Sequence, residues 1–209
     1  MARAPLTKPR KQASQERSRV LVETLITATA RILVREGFDK ASTNRIAEKA
    51  GVSVGSLYQY FPSKEALVAA VMERHRQEIR EVVLRALAEA STLPMEQGIR
   101  KLIAAAVEAH RIDPKLHCVL AEQVPHTGQL AAMTAANGEG YGVFRAYLET
   151  HRNECRGIDL DLAAFVCVTS IEALTHTAVL HHSESFSDQA FQALIDEGTR
   201  LVVRYLVAG

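Results

Sequence analysis

A run of small and polar side chains between residues 53 and 59 has types and spacing suited to recognition chemistry. Val54, Gly55 and Ser56 lack bulk, and Gln59 follows one helical turn after Ser56. Small side chains at the start of a helix let its backbone N–H groups approach a phosphate. An amide such as that of Gln59 can bond a base edge. The stretch therefore indicates contact with a nucleic acid.

The residues before this run predict a short amphipathic helix. Ile46, Ala47 and Ala50 recur at the spacing of one helical face. Gly51 is expected to end the helix, because glycine adopts the left-handed conformation at the lowest cost.

A second short helix is predicted directly after it. Ser53 can accept a backbone N–H bond and cap its start, and Leu57 and Phe61 share one face. Pro62 stops it, and Ser63 can cap a third helix. A helix this short needs a packing partner. The pair has the form of a helix-turn-helix, whose second helix enters the DNA major groove.

These residues resemble the DNA-binding domain of the tetracycline-repressor (TetR) family of transcriptional regulators, over roughly residues 17 to 70. A preceding helix that ends in Gly37-Phe38 also fits. The matching positions are Thr43, Ile46-Ala47, Ala50-Gly51-Val52-Ser53, Gly55, Leu57-Tyr58, Tyr60-Phe61 and Ser63-Lys64-Glu65-Ala66-Leu67.

The resemblance implies a set of DNA contacts. Positions that face bases in the family hold Asn44, Val54, Gly55, Ser56 and Gln59, and those that contact phosphate hold Thr43, Tyr58, Tyr60 and Lys64. Arg45 and Ser53 complete the candidate set. Tyr58 and Tyr60 point in different directions on a helix, so packing is the alternative role for one of them. The alternative for Lys64 is a solvated surface lysine.

Charge is distributed unevenly along the 209 residues. Residues 1–64 contain 12 Lys/Arg and 5 Asp/Glu, whereas residues 65–209 contain 13 and 19. Only the first part is therefore expected to meet a polyanion. Residues 1–15 are predicted to form a disordered basic arm, which either contacts DNA phosphates or only aids solubility.

Apolar periodicity predicts an all-α fold of about nine helices, and no long stretch shows the alternating pattern of a β-strand. We expect a helix-turn-helix domain at 16–63 and a ligand-binding and dimerisation domain at 64–209. Besides the two short helices, helices are predicted at about 16–36, 63–90, 95–111, 113–124, 129–155, 159–182 and 188–207, of which the one at 113–124 is also short.

The resemblance further implies a small-molecule cavity and a homodimer formed by the last two helices, at about 159–182 and 188–207. The former is apolar nearly all round, so it should be buried on more than one side. Few charges lie in these segments, which favours a hydrophobic effector. The candidate effector contacts are His110, Cys118, Gln123, Met133, Asn137, Tyr141, Glu172 and His176.

The sequence gives less support to a catalytic site or a metal site. Gly51-Val-Ser-Val-Gly55 matches the nucleophile elbow of serine hydrolases, but that motif requires a preceding strand. The histidines lack metal-site spacing, so no metal or cofactor is expected. Three widely spaced cysteines and the absence of a signal peptide or membrane span predict a cytoplasmic location. The leading hypothesis is a repressor that a small molecule releases from a palindromic operator. The alternatives are an effector-free or activating regulator and, remotely, an enzyme.

Overall fold

The computed structural model describes residues 16–124, 138–181 and 187–207, and within them the secondary structure is entirely helical. The all-α prediction is confirmed. The described residues form nine helices, which are α1 (Glu16–Glu36), α2 (Thr43–Ala50), α3 (Val54–Tyr60), α4 (Lys64–Ala90), α5 (Met95–His110), α6 (Pro114–Glu122), α7 (Gly138–Thr150), α8 (Leu160–His181) and α9 (Asp188–Leu206).

The seventh helix differs most from its predicted bounds. The apolar pattern predicts 129–155, but α7 ends at Thr150, and residues 129–137 lie outside the described residues. After Thr150 the chain changes to i→i+3 bonds: the N–H of His151 donates to Leu148 O at 3.1 Å, and that of Arg152 to Glu149 O at 3.3 Å. Such bonds tighten the chain into turns and end the helix.

The caps of the short helices are as the sequence predicts. Gly51 ends α2 with a φ of +68°. Ser53 caps α3, because its Oγ accepts from the N–H of Ser56 at 3.1 Å. Ser63 caps α4 by accepting from the N–H of Ala66 at 3.2 Å. Sequence reasoning missed Ser42, which caps α2 by accepting from the N–H of Arg45 at 3.4 Å.

The chain divides into two compact units, and the division runs through α4. The first unit comprises residues 1–76 and 115–135, and the second comprises residues 77–114 and 136–209. The functional boundary that we predict between residues 63 and 64 therefore does not coincide with the division between compact units, and it stays a prediction.

The core of the first unit joins the three N-terminal helices to the start of α4 and to α6. Leu25, Leu33, Ile46, Leu57 and Phe61 are almost completely buried. The α6 side chains Leu116, Val119 and Leu120 belong to the same cluster. Packing against α1 and α4 thus gives the short helices α2 and α3 the support that they lack in isolation.

The core of the second unit lies among α5, α7, α8 and α9. Ile99, Ile103, Leu148, Ala163 and Leu206 are at most 2% exposed. Of the described helices, only α8 is long and apolar enough to cross a bilayer, with a mean hydropathy of 1.5 over Leu160–Leu180. Its buried side packs into this core.

Candidate nucleic-acid interface

Helix α3, the second helix of the predicted helix-turn-helix, presents a polar side to solvent and an apolar side to the core. Leu57 is fully buried, whereas Gly55 and Gln59 are exposed. Val54 and Ser56 are partly exposed. The start of α3 can therefore approach a ligand without unfolding of the domain.

A pair of serines orders the first turn of α3. Besides the capping bond, the hydroxyls of Ser53 and Ser56 lie 2.8 Å apart and share a hydrogen bond. The N–H groups of Val54 and Gly55 precede the helix's own hydrogen-bond ladder, as at every helix start. With little side-chain bulk around them, these donors are suited to a phosphate.

Thr43 and Tyr58, two predicted phosphate contacts, meet across the turn. The Thr43 Oγ1 and Tyr58 hydroxyl oxygens are 3.1 Å apart. Tyr58 is 39% exposed, and Asn44 beside Thr43 is also exposed. The first turn of α2 and the middle of α3 thus form one polar surface.

Tyr60 lies elsewhere. It is 7% exposed and packs in the core of the first unit. Its hydroxyl donates to Ser18 Oγ on α1 at 3.0 Å. At this position on α3 the side chain of Tyr60 points towards α1, and its place among the phosphate contacts stays a prediction.

The two candidate cations of this unit are held in different ways. Arg45 Nη2 lies 2.7 Å from Glu36 Oε2, so a carboxylate opposes its charge. Lys64 Nζ donates to Phe38 O at 3.1 Å and lies 4.0 Å from the centre of the Phe38 ring. Lys64 is therefore not a freely solvated surface lysine. Phe38 and Lys64 are 26 positions apart in the sequence, which explains why sequence reasoning missed this contact.

The predicted effector contacts are only partly brought together. In the second unit, the His110 and His176 rings stack edge to face with centres 5.6 Å apart. Tyr141 instead lies against Phe165, with its hydroxyl 3.4 Å from Thr169 Oγ1. Glu172 is partly buried on α8, the helix that carries His176.

The remaining effector candidates lie elsewhere. Cys118 and Gln123 are in the first unit, and Met133 and Asn137 lie outside the described residues. No group of three metal-ligating side chains occurs within the described part of the chain. The effector set stays a prediction.

Two open grooves mark the surface of the second unit. One, of about 320 Å³, runs between α5 and α9 over Ala104, Val107, Phe191 and Ile195. The other, of about 170 Å³, lies between α4 and α5. Neither groove is lined by a residue of the predicted effector set.

The surroundings of Ser53 do not favour a nucleophile elbow. Helix α2 precedes this serine, whereas the elbow follows a strand, and the described residues form only helices. Its hydroxyl is engaged with the N–H and the hydroxyl of Ser56. Ser53 thus serves α3 as a cap.

Comparison with known proteins identifies a family region in each part of the chain. Residues 25–71 match the family described as bacterial regulatory proteins, tetR family, and residues 94–206 match the tetracyclin repressor-like C-terminal domain. The nucleoid occlusion factor SlmA of Haemophilus ducreyi is 38% identical over 73 residues, 35% of this chain and 35% of that protein. The transcriptional activator FasR of Mycolicibacterium smegmatis is 39% identical over 85 residues, 41% of this chain and 36% of that protein. The chain thus spans about a third of the length of these curated relatives.

Solved structures share the fold along nearly the whole chain. A TetR-family regulator from Mesorhizobium loti superposes with a TM-score of 0.78 at 19% identity, covering 93% of this chain and 100% of that one. FadR from Bacillus subtilis, solved in complex with stearoyl-CoA, gives a TM-score of 0.69 at 17% identity, covering 88% and 98%. An exposed, serine-capped recognition helix, matched family regions at both ends and this shared fold lead to one conclusion: the chain belongs to the TetR family of DNA-binding transcriptional regulators.

Proposed function

We propose that this regulator is a homodimeric repressor that binds a palindromic operator and is released by a small hydrophobic effector. The observation that carries the proposal is the exposed polar side of α3, where Gly55 and Gln59 face solvent while Leu57 is fully buried. A dimer would present two such helices one DNA turn apart, or a multiple of that, and so would read a palindrome.

The contacts divide into two groups by their chemistry. Base edges are read by Asn44, Val54, Gly55, Ser56 and Gln59, whose small or amide side chains suit the major groove. Phosphates are held by Thr43, Tyr58, Lys64 and Arg45, which fix the register of the protein on the duplex. Ser53 acts as the cap beside them. The basic arm at residues 1–15 would add sequence-independent affinity.

Exposed apolar side chains on the last two helices support a dimer. Leu162, Phe165 and Leu174 of α8 are 57%, 53% and 39% exposed, and Leu201 of α9 is 52% exposed. Leaving these large apolar side chains in water is unfavourable. Two copies of α8 and α9 would cover it as a four-helix bundle with self-complementary faces.

Effector release would act as a population shift. The helix α4 belongs to both units, so an effector that prefers one position of α4 would alter the spacing of the two recognition helices. The apolar character of α5 and α8 favours a hydrophobic effector, and the stearoyl-CoA complex of FadR is a precedent among proteins of this fold. The functional division at 16–63 and 64–209 belongs to this proposal.

An effector-independent or activating regulator is the second candidate. The two grooves described above are open to solvent and modest in volume, which supports this candidate. One similar protein, FasR, is itself an activator. We assign no catalytic reaction to the chain, and we place it in the cytoplasm, where its DNA would be.

Selection of bound duplexes from a random pool tests the DNA-binding proposal. Recovery of a palindrome with half-sites one DNA turn apart, or a multiple of that, is the expected result, and enrichment of no sequence would refute operator recognition.

Sedimentation of the wild type and of Phe165→Glu tests the dimer, since a charge at that position should produce monomers.

Effector release requires its own measurement. Fatty acids and acyl-CoA thioesters, chosen for their apolar chains, should raise the melting temperature and weaken operator binding. Coupling is reciprocal, so a compound with equal affinity for the free and the operator-bound dimer would argue against release and for the second candidate.

A further inference from the structure

The corner between α1 and α2, which comprises residues 36–41, contacts the side chain of Lys64, the first residue of α4. Phe38 is 8% exposed and anchored in the core of the first unit. Its carbonyl oxygen accepts from the N–H of Ala41 at 3.2 Å and from Lys64 Nζ at 3.1 Å. Its ring lies 4.0 Å below the same ammonium group.

These partners leave the charge of Lys64 intact. A carbonyl and an aromatic ring are uncharged, so they orient the ammonium group without neutralising it. Arg45 differs, because the Glu36 carboxylate at 2.7 Å cancels much of its field. The ammonium group has three N–H donors. One of these N–H groups donates to the Phe38 carbonyl oxygen, and the Phe38 ring faces the ammonium group from another side. An N–H group can therefore still donate to a further acceptor.

A lysine in this position would otherwise be poorly placed. It opens α4, where the helix dipole disfavours a cation. A free lysine side chain also has many rotamers, and ordering it on binding costs part of the affinity. Contacts that exist before DNA arrives would remove much of that cost from the binding step.

We propose that Phe38 is a positioning residue for DNA binding, which holds Lys64 ready for a phosphate oxygen through its ring and its carbonyl. This inference rests on the proposed function, because it requires that Lys64 meets DNA. Phe38 itself does not touch the duplex. It acts through the lysine, and so its effect must vanish when the lysine is removed.

A double-mutant cycle on DNA affinity tests the proposal. The full-length protein and its Phe38→Leu, Lys64→Met and double variants are titrated against the selected duplex by fluorescence anisotropy at several salt concentrations. Phe38→Leu should weaken the binding of DNA by the dimer about fivefold, because the two Lys64 side chains must then be ordered on binding. The slope of affinity against salt concentration should not change. Lys64→Met should reduce the slope by about 0.9 per lysine. In the Lys64→Met background, Phe38→Leu should have no further effect.

Controls separate positioning from packing. Phe38→Tyr retains the aromatic face and should bind like the wild type, and melting curves show that each variant folds. If Phe38→Leu does not fold, Phe38→Met replaces it, because methionine fills irregular core gaps. An equal loss of affinity with and without Lys64 would overturn the proposal, as would an unchanged slope in Lys64→Met. A wild-type protein that selects no duplex would refute the proposed function instead.

Discussion

The cap of the recognition helix offers the sharpest test of how this structure produces function. Ser53→Ala removes the acceptor for the Ser56 N–H, a bond of 3.1 Å, and also the 2.8 Å contact with the Ser56 hydroxyl. Loss of an N-cap serine costs about 1 kcal/mol. Helix α3 has only seven residues, so this cost falls on a helix that cannot form by itself.

The effect on DNA affinity follows from the free energy that the lost cap costs. If the first turn of α3 must be ordered to bind, each subunit loses up to about 1 kcal/mol. A dimer with two recognition helices then loses about 2 kcal/mol, which is about thirtyfold in Kd. Anisotropy with the selected duplex measures the affinity, and urea unfolding measures the stability.

The chain supplies a matched control in Ser187. This serine caps α9 in the second unit, with its Oγ accepting from the N–H of Ala190 at 3.2 Å. Ser187→Ala should cost similar stability but leave DNA affinity near that of the wild type. Ser53→Asn, which keeps a capping acceptor, should recover stability. If Ser53→Ala and Ser187→Ala change DNA affinity equally, the ordering of α3 is not what limits binding.

Three further outcomes are expected. In thermal unfolding, Gly98→Ala should destabilise the protein by about 1–3 kcal/mol, because the new Cβ meets the Tyr147 hydroxyl and lies 3.0 Å from Ala90 O. Gly142→Ala, whose new Cβ has nothing within 4 Å, should instead stabilise the protein by about 0.5–1 kcal/mol. Glu36→Gln should release Arg45 and raise both DNA affinity and the salt slope more than Glu48→Gln, and equal effects of the two variants would show that Arg45 does not contact phosphate. Burial raises the pKa of the Cys167 thiol from 9.0 to about 12, so the folded state favours the neutral thiol. That stabilisation is complete below pH 9 and is lost as pH rises towards 12, with a slope of up to about 1.4 kcal/mol per pH unit. In Cys167→Ala this part of the alkaline slope should be absent from the pH profile of unfolding.

The helices that carry the proposed recognition surface could be predicted from the sequence because their determinants are local. A cap joins a serine to an N–H three residues later, and a left-handed glycine ends a helix within its own turn. The positions of Gly51, Ser53 and Ser63 were therefore predictable. The bounds of α1, α4, α5 and α9 followed from apolar periodicity in the same way, to within one residue.

The sequence by itself determined the helical class, the two short helices and the exposed side of α3. Only the tertiary structure decided that Tyr60 points towards Ser18, 42 residues away, that Phe38 holds Lys64, and that α6 packs in the core of the first unit. It also decided where α7 ends, since His151 leaves the helix and its buried ring lies 3.1 Å from Leu93 O. Hydrogen bonds within one turn depend on neighbouring residues alone, whereas contacts between distant residues depend on how complete helices pack, and no local pattern records that packing.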